Sequence, residues 1–130
     1  MRIGFVGLGN LGKAIVDRMI SQNVDIWVYN RTIEKARNYN HYKEPNDLFK
    51  NSDVVFIIIR DSKAVEEFLF NTIDSKNLQN KIIIDMTTNS YDFVIYAYEK
   101  LKNLNAYYFE APLLGSIPAA QTGSLVMLIS

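Results

Sequence analysis

The sharpest chemical signal in the sequence is Gly7-Leu8-Gly9-Asn10-Leu11-Gly12, a G-x-G-x-x-G pattern. It follows the apolar run Ile3 to Val6 and opens a segment in which Leu11, Ile15 and Met19 recur every four residues. A strand, a tight glycine turn and a helix, in that order, make a phosphate cradle. Gly7 permits the turn, a Cβ at position 9 would obstruct a pyrophosphate, and Gly12 lets the helix pack on the strand. Unpaired N–H groups at the helix start face the anion, and the helix dipole adds about 0.3–1 kcal/mol. Lys13 precedes Ala14 rather than a hydroxyl residue, so the Gly-Lys-Ser/Thr ending of a P-loop is missing. A dinucleotide is therefore the better ligand than a nucleoside triphosphate awaiting phosphoryl transfer.

The next chemistry lies at the end of the second apolar run. Domains that prefer NAD place Asp or Glu about 20 residues past the glycine turn, where it bonds the ribose hydroxyls. This chain reads Tyr29-Asn30-Arg31-Thr32 instead. Asn30 removes the carboxylate that would repel a 2′-phosphate, and Arg31 and the Thr32 hydroxyl offer donors to it. A guanidinium is suited to bidentate capture of phosphate oxygens. The expected cofactor is NADP(H) in preference to NAD(H). His41, the single histidine, falls in a weakly strand-like stretch far from these motifs and reads as a packing or surface residue. Asp85 ends a strand, and its expected work is to hydrogen-bond the turn that follows. The tyrosines at 91, 96, 98, 107 and 108 sit on amphipathic elements and read as core packing.

These residues need a scaffold. The chain has 130 residues, 14 Lys+Arg against 14 Asp+Glu, no Cys, and 48% hydrophobic residues. No cysteine means no disulfide framework, no Cys-ligated zinc and no thiol nucleophile; no metal site is expected. Balanced charge gives no basic footprint for a nucleic acid. No stretch approaches the roughly 18 apolar residues of a membrane helix. Met1 runs straight into Arg2 to Val6 without a secretory leader, so the expected setting is cytoplasmic. Apolar runs at Ile3–Val6, Val24–Tyr29, Asp53–Ile59, Lys81–Met86, Ala106–Phe109 and Leu125–Ile129 read as strands buried on both faces. Between them lie helical stretches: residues 11–20, a start near Thr32 as N-cap, Pro45 to Lys50, Ser62 to Phe70 with Val65, Phe68 and Leu69 on one side, and a Ser90-capped helix carrying Phe93, Ala97 and Leu101. A short strand at 41–43 is weakly signalled. The alternation predicts a single α/β domain with a doubly wound, mainly parallel sheet of Rossmann type and helices on both faces.

Four motifs in order resemble the β-hydroxyacid dehydrogenases. That family includes 3-hydroxyisobutyrate dehydrogenase and the glyoxylate/succinic semialdehyde reductases, within the 6-phosphogluconate dehydrogenase superfamily. The motifs are Ile3 to Gly12 with Asn30-Arg31-Thr32, Asp53 to Ile59 followed by Arg60-Asp61, Asp85-Met-Thr-Thr88, and Glu110-Ala-Pro-Leu-Leu-Gly-Ser116 with Ala119-Ala120 and Gly123-Ser-Leu125. The resemblance covers the whole chain. It implies that Ile59, Arg60, Asp61 and Val65 lie beside the adenosine half of the cofactor and Thr88 near the nicotinamide. It also implies that Leu114, Gly115 and Ser116 form a substrate loop. Leu114 stands where the family usually has a Ser that helps hold the substrate carboxylate, and Arg60 replaces a common Pro. The implied activity is hydride exchange between NADP(H) and a β-hydroxy acid or semialdehyde, a small-molecule substrate. The family's proton-relay Lys lies on a helix of a second, all-helical domain that also carries its main dimer contacts. The chain stops at Ser130, before such a helix, so no catalytic residue is expected within it, and a homo-oligomer is expected only of the full-length form. The alternative is a stand-alone dinucleotide-binding module without catalysis. Another glycine-motif reductase, acting on imines or pyrroline carboxylate, is disfavoured by Asp85 and Ala111-Pro112.

Overall fold

The computed structural model describes residues 1–114, 117–123 and 126–127 of the chain. Runs of β-branched residues without polar alternation can be satisfied only when helices cover both faces of a sheet. The chain does this with five parallel strands: β1 (Ile3–Val6), β2 (Ile26–Tyr29), β3 (Val54–Ile57), β4 (Ile82–Asp85) and β5 (Tyr107–Glu110), in spatial order β2-β1-β3-β4-β5. Val28 and His41 add one isolated parallel bridge outside β2. The weakly signalled strand at 41–43 is thus reduced to a single residue. With that bridge counted as an edge strand, the order becomes the 3-2-1-4-5-6 of the Rossmann sheet. The expected fold class is the observed one.

Alternation along each strand divides the core. On one face Val6, Val55, Ile57, Ile83 and Tyr108 meet α2 (Pro45–Lys50), α3 (Ser62–Glu67) with the turn after it, and α4 (Tyr91–Asn103) through Leu48, Phe49, Val65, Leu69, Phe93, Ala97 and Leu101. On the other, Phe5, Ile26 and Val28 pack with Val16 of α1 (Asn10–Ser21) and with Ala36. The Ser90 cap forms as expected: its Oγ accepts from the Phe93 N–H at 3.3 Å. Among the described residues no helix is long and apolar enough to cross a membrane.

Several local expectations are corrected. Thr32 does not cap an α-helix: Ile33–Ala36 is one 3-10 turn, and Thr32 gives it no side-chain bond. Lys35 offers no carboxylate to complete a capping box, so nothing fixes a longer helix there. The helix read from Ser62 to Phe70 is α-helical only to Glu67 and then widens into a π turn, Phe68–Thr72. The last apolar run does not add a parallel strand. Val126–Met127 (β7) pairs antiparallel with Leu113–Leu114 (β6) in a separate two-stranded sheet, with α5 (Ile117–Thr122) between them; Leu125, Leu128 and Ile129 lie outside the described residues. Of the five tyrosines expected in the core, only Tyr108 is buried. Tyr91, Tyr96, Tyr98 and Tyr107 are exposed, because α4 and β5 lie at the sheet's edge and present an outer face to water.

Candidate nucleotide-binding cleft

Strand order fixes where a ligand can sit. The chain leaves β1 toward β2 and then returns past β1 to β3, so the loops after β1, β2 and β3 part at the carboxyl end of β1. Such a switch point is the ligand crevice of an open α/β sheet. Here it is a cleft of about 720 Å³ whose lining includes Gly7, Tyr29, Asn30, Arg31, Ile59, Arg60, Lys63, Ala64, Glu67 and Phe68.

The glycine turn enters the cleft lining through Gly7. Gly7 has φ +106°, a left-handed conformation that favours glycine, and a Cβ there would run into the Ile58 carbonyl. A Cβ on Gly12 would collide with the Gly7 carbonyl, so the helix packs on the turn through bare backbone. Gly9 differs from both: its backbone is ordinary extended geometry, and a Cβ there meets nothing within 4 Å. Packing therefore does not require glycine at position 9, whereas a close-lying ligand does. Asn10 and Leu11 open α1 immediately afterwards, and no side chain caps that end. The backbone N–H groups of this first turn are the free donors that an anion at a helix start needs. These features fit the pyrophosphate of a dinucleotide.

Asn30 has a structural task beyond the missing carboxylate. Its Oδ1 accepts from the Leu8 N–H at 2.8 Å, and its Nδ2 donates to the Thr32 carbonyl at 2.9 Å. One side chain thereby ties the glycine turn to the loop after β2 and shapes the backbone beside Arg31. The Leu8 side chain is buried, so its place in the site is through its backbone. Arg31 and Thr32 are both exposed, and of the two only Arg31 lines the cleft.

The opposite wall follows β3. Ile59 and Arg60 line it. Asp61 serves as the N-cap of α3, accepting from the Ala64 N–H at 2.9 Å; that bond first, and the Arg60 guanidinium at 3.3 Å second, hold its carboxyl below the ordinary carboxylate range. Val65 is corrected: its side chain is wholly buried in the core, and the cleft wall on this helix is made by Lys63 and Ala64. The sequence held a signal for these two. Lys63 and Glu67 are an i,i+4 pair on the side of α3 opposite buried Val65, and Ala64 flanks that residue.

Behind this wall runs a chain of buried polar bonds. Asp85, wholly buried, accepts from Tyr108 Oη (2.7 Å), Asn89 Nδ2 (2.8 Å) and the Thr87 N–H (3.0 Å). Burial pushes its carboxyl above the usual carboxylate range, and these donors pull it back in part. The Tyr108 hydroxyl is held far above the ordinary phenol value by burial and by Asp85. Thr87 Oγ1 in turn accepts from the Ile59 N–H at 3.1 Å, linking the network to the cleft wall. The expected role of Asp85 is thus observed, with two partners, Tyr108 and Asn89, that local pattern did not announce. Thr88 is exposed beyond the end of β4, next to buried Thr87. Of the residues expected in a substrate loop, Leu114 ends β6, and Gly115 and Ser116 lie outside the described residues. His41 is half-buried, its Nδ1 2.9 Å from the Tyr39 carbonyl, away from the cleft lining. Among the described residues no three His, Cys, Asp or Glu side chains gather as metal ligands.

Comparison with known proteins agrees with this geometry. The family profile described as the NAD binding domain of 6-phosphogluconate dehydrogenase matches residues 2–130. The chain is 32% identical over 133 residues to the cytokine-like nuclear factor N-PAC of Drosophila melanogaster, covering 96% of this chain and 22% of that protein. It is 30% identical over 135 residues to mitochondrial 3-hydroxyisobutyrate dehydrogenase of the same species, covering 98% and 41%. The solved structure of Psf3 in complex with NADP+ and 2-OPP matches with a TM-score of 0.91 at 25% identity, covering 98% of this chain and 48% of that one. The chain spans less than half the length of each of these three proteins. With a profile match along the whole sheet, the chain belongs to the family of the 6-phosphogluconate dehydrogenase NAD-binding domain, the superfamily of the β-hydroxyacid dehydrogenases.

Proposed function

We propose that this chain is the NADP(H)-binding part of an oxidoreductase that exchanges hydride between the nicotinamide and a β-hydroxy acid or semialdehyde. The observation that carries this reading is the end of β2. Asn30 replaces the ribose-binding carboxylate and is locked to Leu8, while Arg31 lines the cleft. When bound, the cofactor supplies the hydride donor or acceptor. The chain's own residues do the holding: the turn from Gly7 to Gly12 receives the pyrophosphate, Arg31 the 2′-phosphate, and Ile59 and Ala64 the apolar side of the adenosine half. Proton transfer is assigned to a residue of a further domain, as the resemblance implies. Relatives named as 3-hydroxyisobutyrate dehydrogenase and as an NADP+ complex support the substrate class and the cofactor.

A second reading, a dinucleotide-binding module without catalysis, has support in the N-PAC relative, which is named as a nuclear factor. Titration of the chain with NADPH and NADH, read by energy transfer from Trp27 and by melting temperature, tests what the two readings share. Tighter binding of NADPH, reduced selectively in Arg31→Ala, supports NADP(H). No response to either cofactor overturns both readings. Turnover of a semialdehyde by the chain with a separately added helical partner domain, absent without it, favours the enzyme.

A further inference from the structure

The cleft lining holds two cations, Arg31 and Lys63, that no carboxylate meets within 4 Å among the described residues. Its walls belong to the loops after β2 and β3, and these strands flank β1. Neighbouring strands are about 4.8 Å apart, so the two walls stand about 10 Å apart at the sheet. Arg31 projects from the first wall, and Lys63, in the first turn of α3, lines the second. Their long side chains can meet one phosphate from opposite sides of such a gap.

The charges are committed unequally. Arg60 is paired with Asp61 at 3.3 Å, and the other Asp61 oxygen caps α3, so those two residues form a neutral unit. Glu67, one turn beyond Lys63, has one oxygen committed to Asn71 Nδ2 at 2.7 Å. Among the described residues the ion pairs within 4 Å are Lys13–Asp17 and Arg60–Asp61, so neither Arg31 nor Lys63 has a carboxylate at that range. A monoester phosphate carries about −1.5 to −2 at neutral pH, more than one guanidinium neutralises. The pyrophosphate has its own donors at the start of α1 and does not require a cation on α3.

We propose that Lys63 is a specificity-determining residue that supplies, from the wall opposite Arg31, the second cation to the 2′-phosphate of NADP(H). This rests on the NADP(H) reading above and deepens it: preference for the phosphorylated cofactor is divided between two walls of the cleft. A Lys serves the second position because a flexible point charge can follow a phosphate that a planar guanidinium has already oriented.

The test measures dissociation constants of NADPH, NADH and 2′,5′-ADP for the wild type, Arg31→Ala, Lys63→Ala and Lys63→Arg. Lys63 is exposed, so its variants keep the wild-type melting temperature, which serves as the control. The expected result is that Lys63→Ala weakens NADPH and 2′,5′-ADP about three- to tenfold and changes NADH less than twofold, and that Lys63→Arg retains most of the affinity. Added salt narrows the gap between the wild type and Lys63→Ala, because the contact is a partly solvated one between charges. Equal weakening of NADPH and NADH assigns Lys63 to a group common to both cofactors and overturns the proposal. No change in any constant makes Lys63 a solvated surface charge and overturns it equally. Selective loss of NADPH in Arg31→Ala without one in Lys63→Ala refutes only this inference. A wild type that binds NADH as well as NADPH refutes the NADP(H) reading together with it.

Discussion

Replacing Tyr108 by Phe tests the buried network behind the cleft with little change in volume. The substitution removes a 2.7 Å hydrogen bond from a phenol to a carboxylate that is fully out of water. Because the ring remains, no cavity forms and the whole effect is polar. A hydrogen bond to a charged group contributes about 1.5–3 kcal/mol, against a total stability of about 5–15 kcal/mol for a domain. Asp85 keeps two donors, the Thr87 N–H and Asn89 Nδ2, so the loss stays in that range and does not reach that of an unpaired buried charge. The pH dependence has a definite sign. Burial raises the folded-state pKa of Asp85 above its unfolded value, so its contribution is most stabilising in acid and is lost as pH rises through the folded pKa. The Tyr108 hydroxyl favours the ionised form, so removing it raises that folded pKa further. The difference between variant and wild type is therefore largest near pH 8 and shrinks as Asp85 takes up its proton. Urea unfolding followed by circular dichroism and Trp27 emission, repeated stepwise from pH 8 into acid, measures it. A loss under about 0.5 kcal/mol at pH 8, or one that stays constant with pH, refutes the account of Asp85 as a buried carboxylate held by this hydroxyl.

Gly9→Ala and Gly12→Ala are expected to part company: the first changes stability by less than about 1 kcal/mol and abolishes nucleotide binding, while the second forces helix and turn apart and lowers stability by about 1–3 kcal/mol or more. Thermal melts alongside cofactor titration separate the two effects. Asn30→Ala leaves the Leu8 N–H without its acceptor and is expected to lose about 1–3 kcal/mol. Asn30→Asp restores that acceptor and shifts preference from NADPH toward NADH, as read from the ratio of the two dissociation constants. Above pH 10 the chain is expected to lose stability partly through Tyr108, whose hydroxyl ionises freely only on unfolding. In a tyrosinate absorbance titration Tyr108 ionises last, with the cooperative loss of structure, and Tyr108→Phe declines less steeply over the same range.

The fold was legible because its signals are local. Gly7 to Gly12, the i,i+4 stripe of α1, the Pro45 helix start and the Ser90 cap each need only neighbouring residues to be recognised. The runs that became β1 to β5 were found for the same reason, although β2, β3 and β4 proved shorter than their apolar stretches. What escaped depends on partners distant in sequence. Asn30 meets Leu8 across 22 residues, Thr87 meets Ile59 across 28, and Tyr108 meets Asp85 across 23. No periodicity announces such bonds, since they exist only after parallel strands align their carboxyl ends. The tyrosines failed for a related reason: amphipathic spacing says that a helix has a buried face, not that the aromatic residues are on it. In α4 the buried positions are Phe93, Ala97 and Leu101; Tyr96 and Tyr98 fall between them and Tyr91 before them.

These long-range bonds explain how a sheet of short strands presents a ready cleft. The Gly7 N–H donates to the Tyr29 carbonyl and the Leu8 N–H to Asn30, fixing the β1 turn to the end of β2. The Ile58 N–H donates to the Val6 carbonyl and the Ile59 N–H to Thr87, fixing the end of β3 to β1 on one side and to the loop after β4 on the other. The rim is therefore tied strand to strand before any ligand arrives, so little ordering entropy opposes binding. Arg31 and Lys63, the cations proposed to choose the ligand, are exposed side chains on that rim, and among the described residues neither has a carboxylate within 4 Å. Geometry and charge are thus carried by different residues. On the proposed reading, cofactor preference can then change at positions 31 and 63 while Gly7, Gly12, Asn30 and Asp85 continue to hold the same cleft.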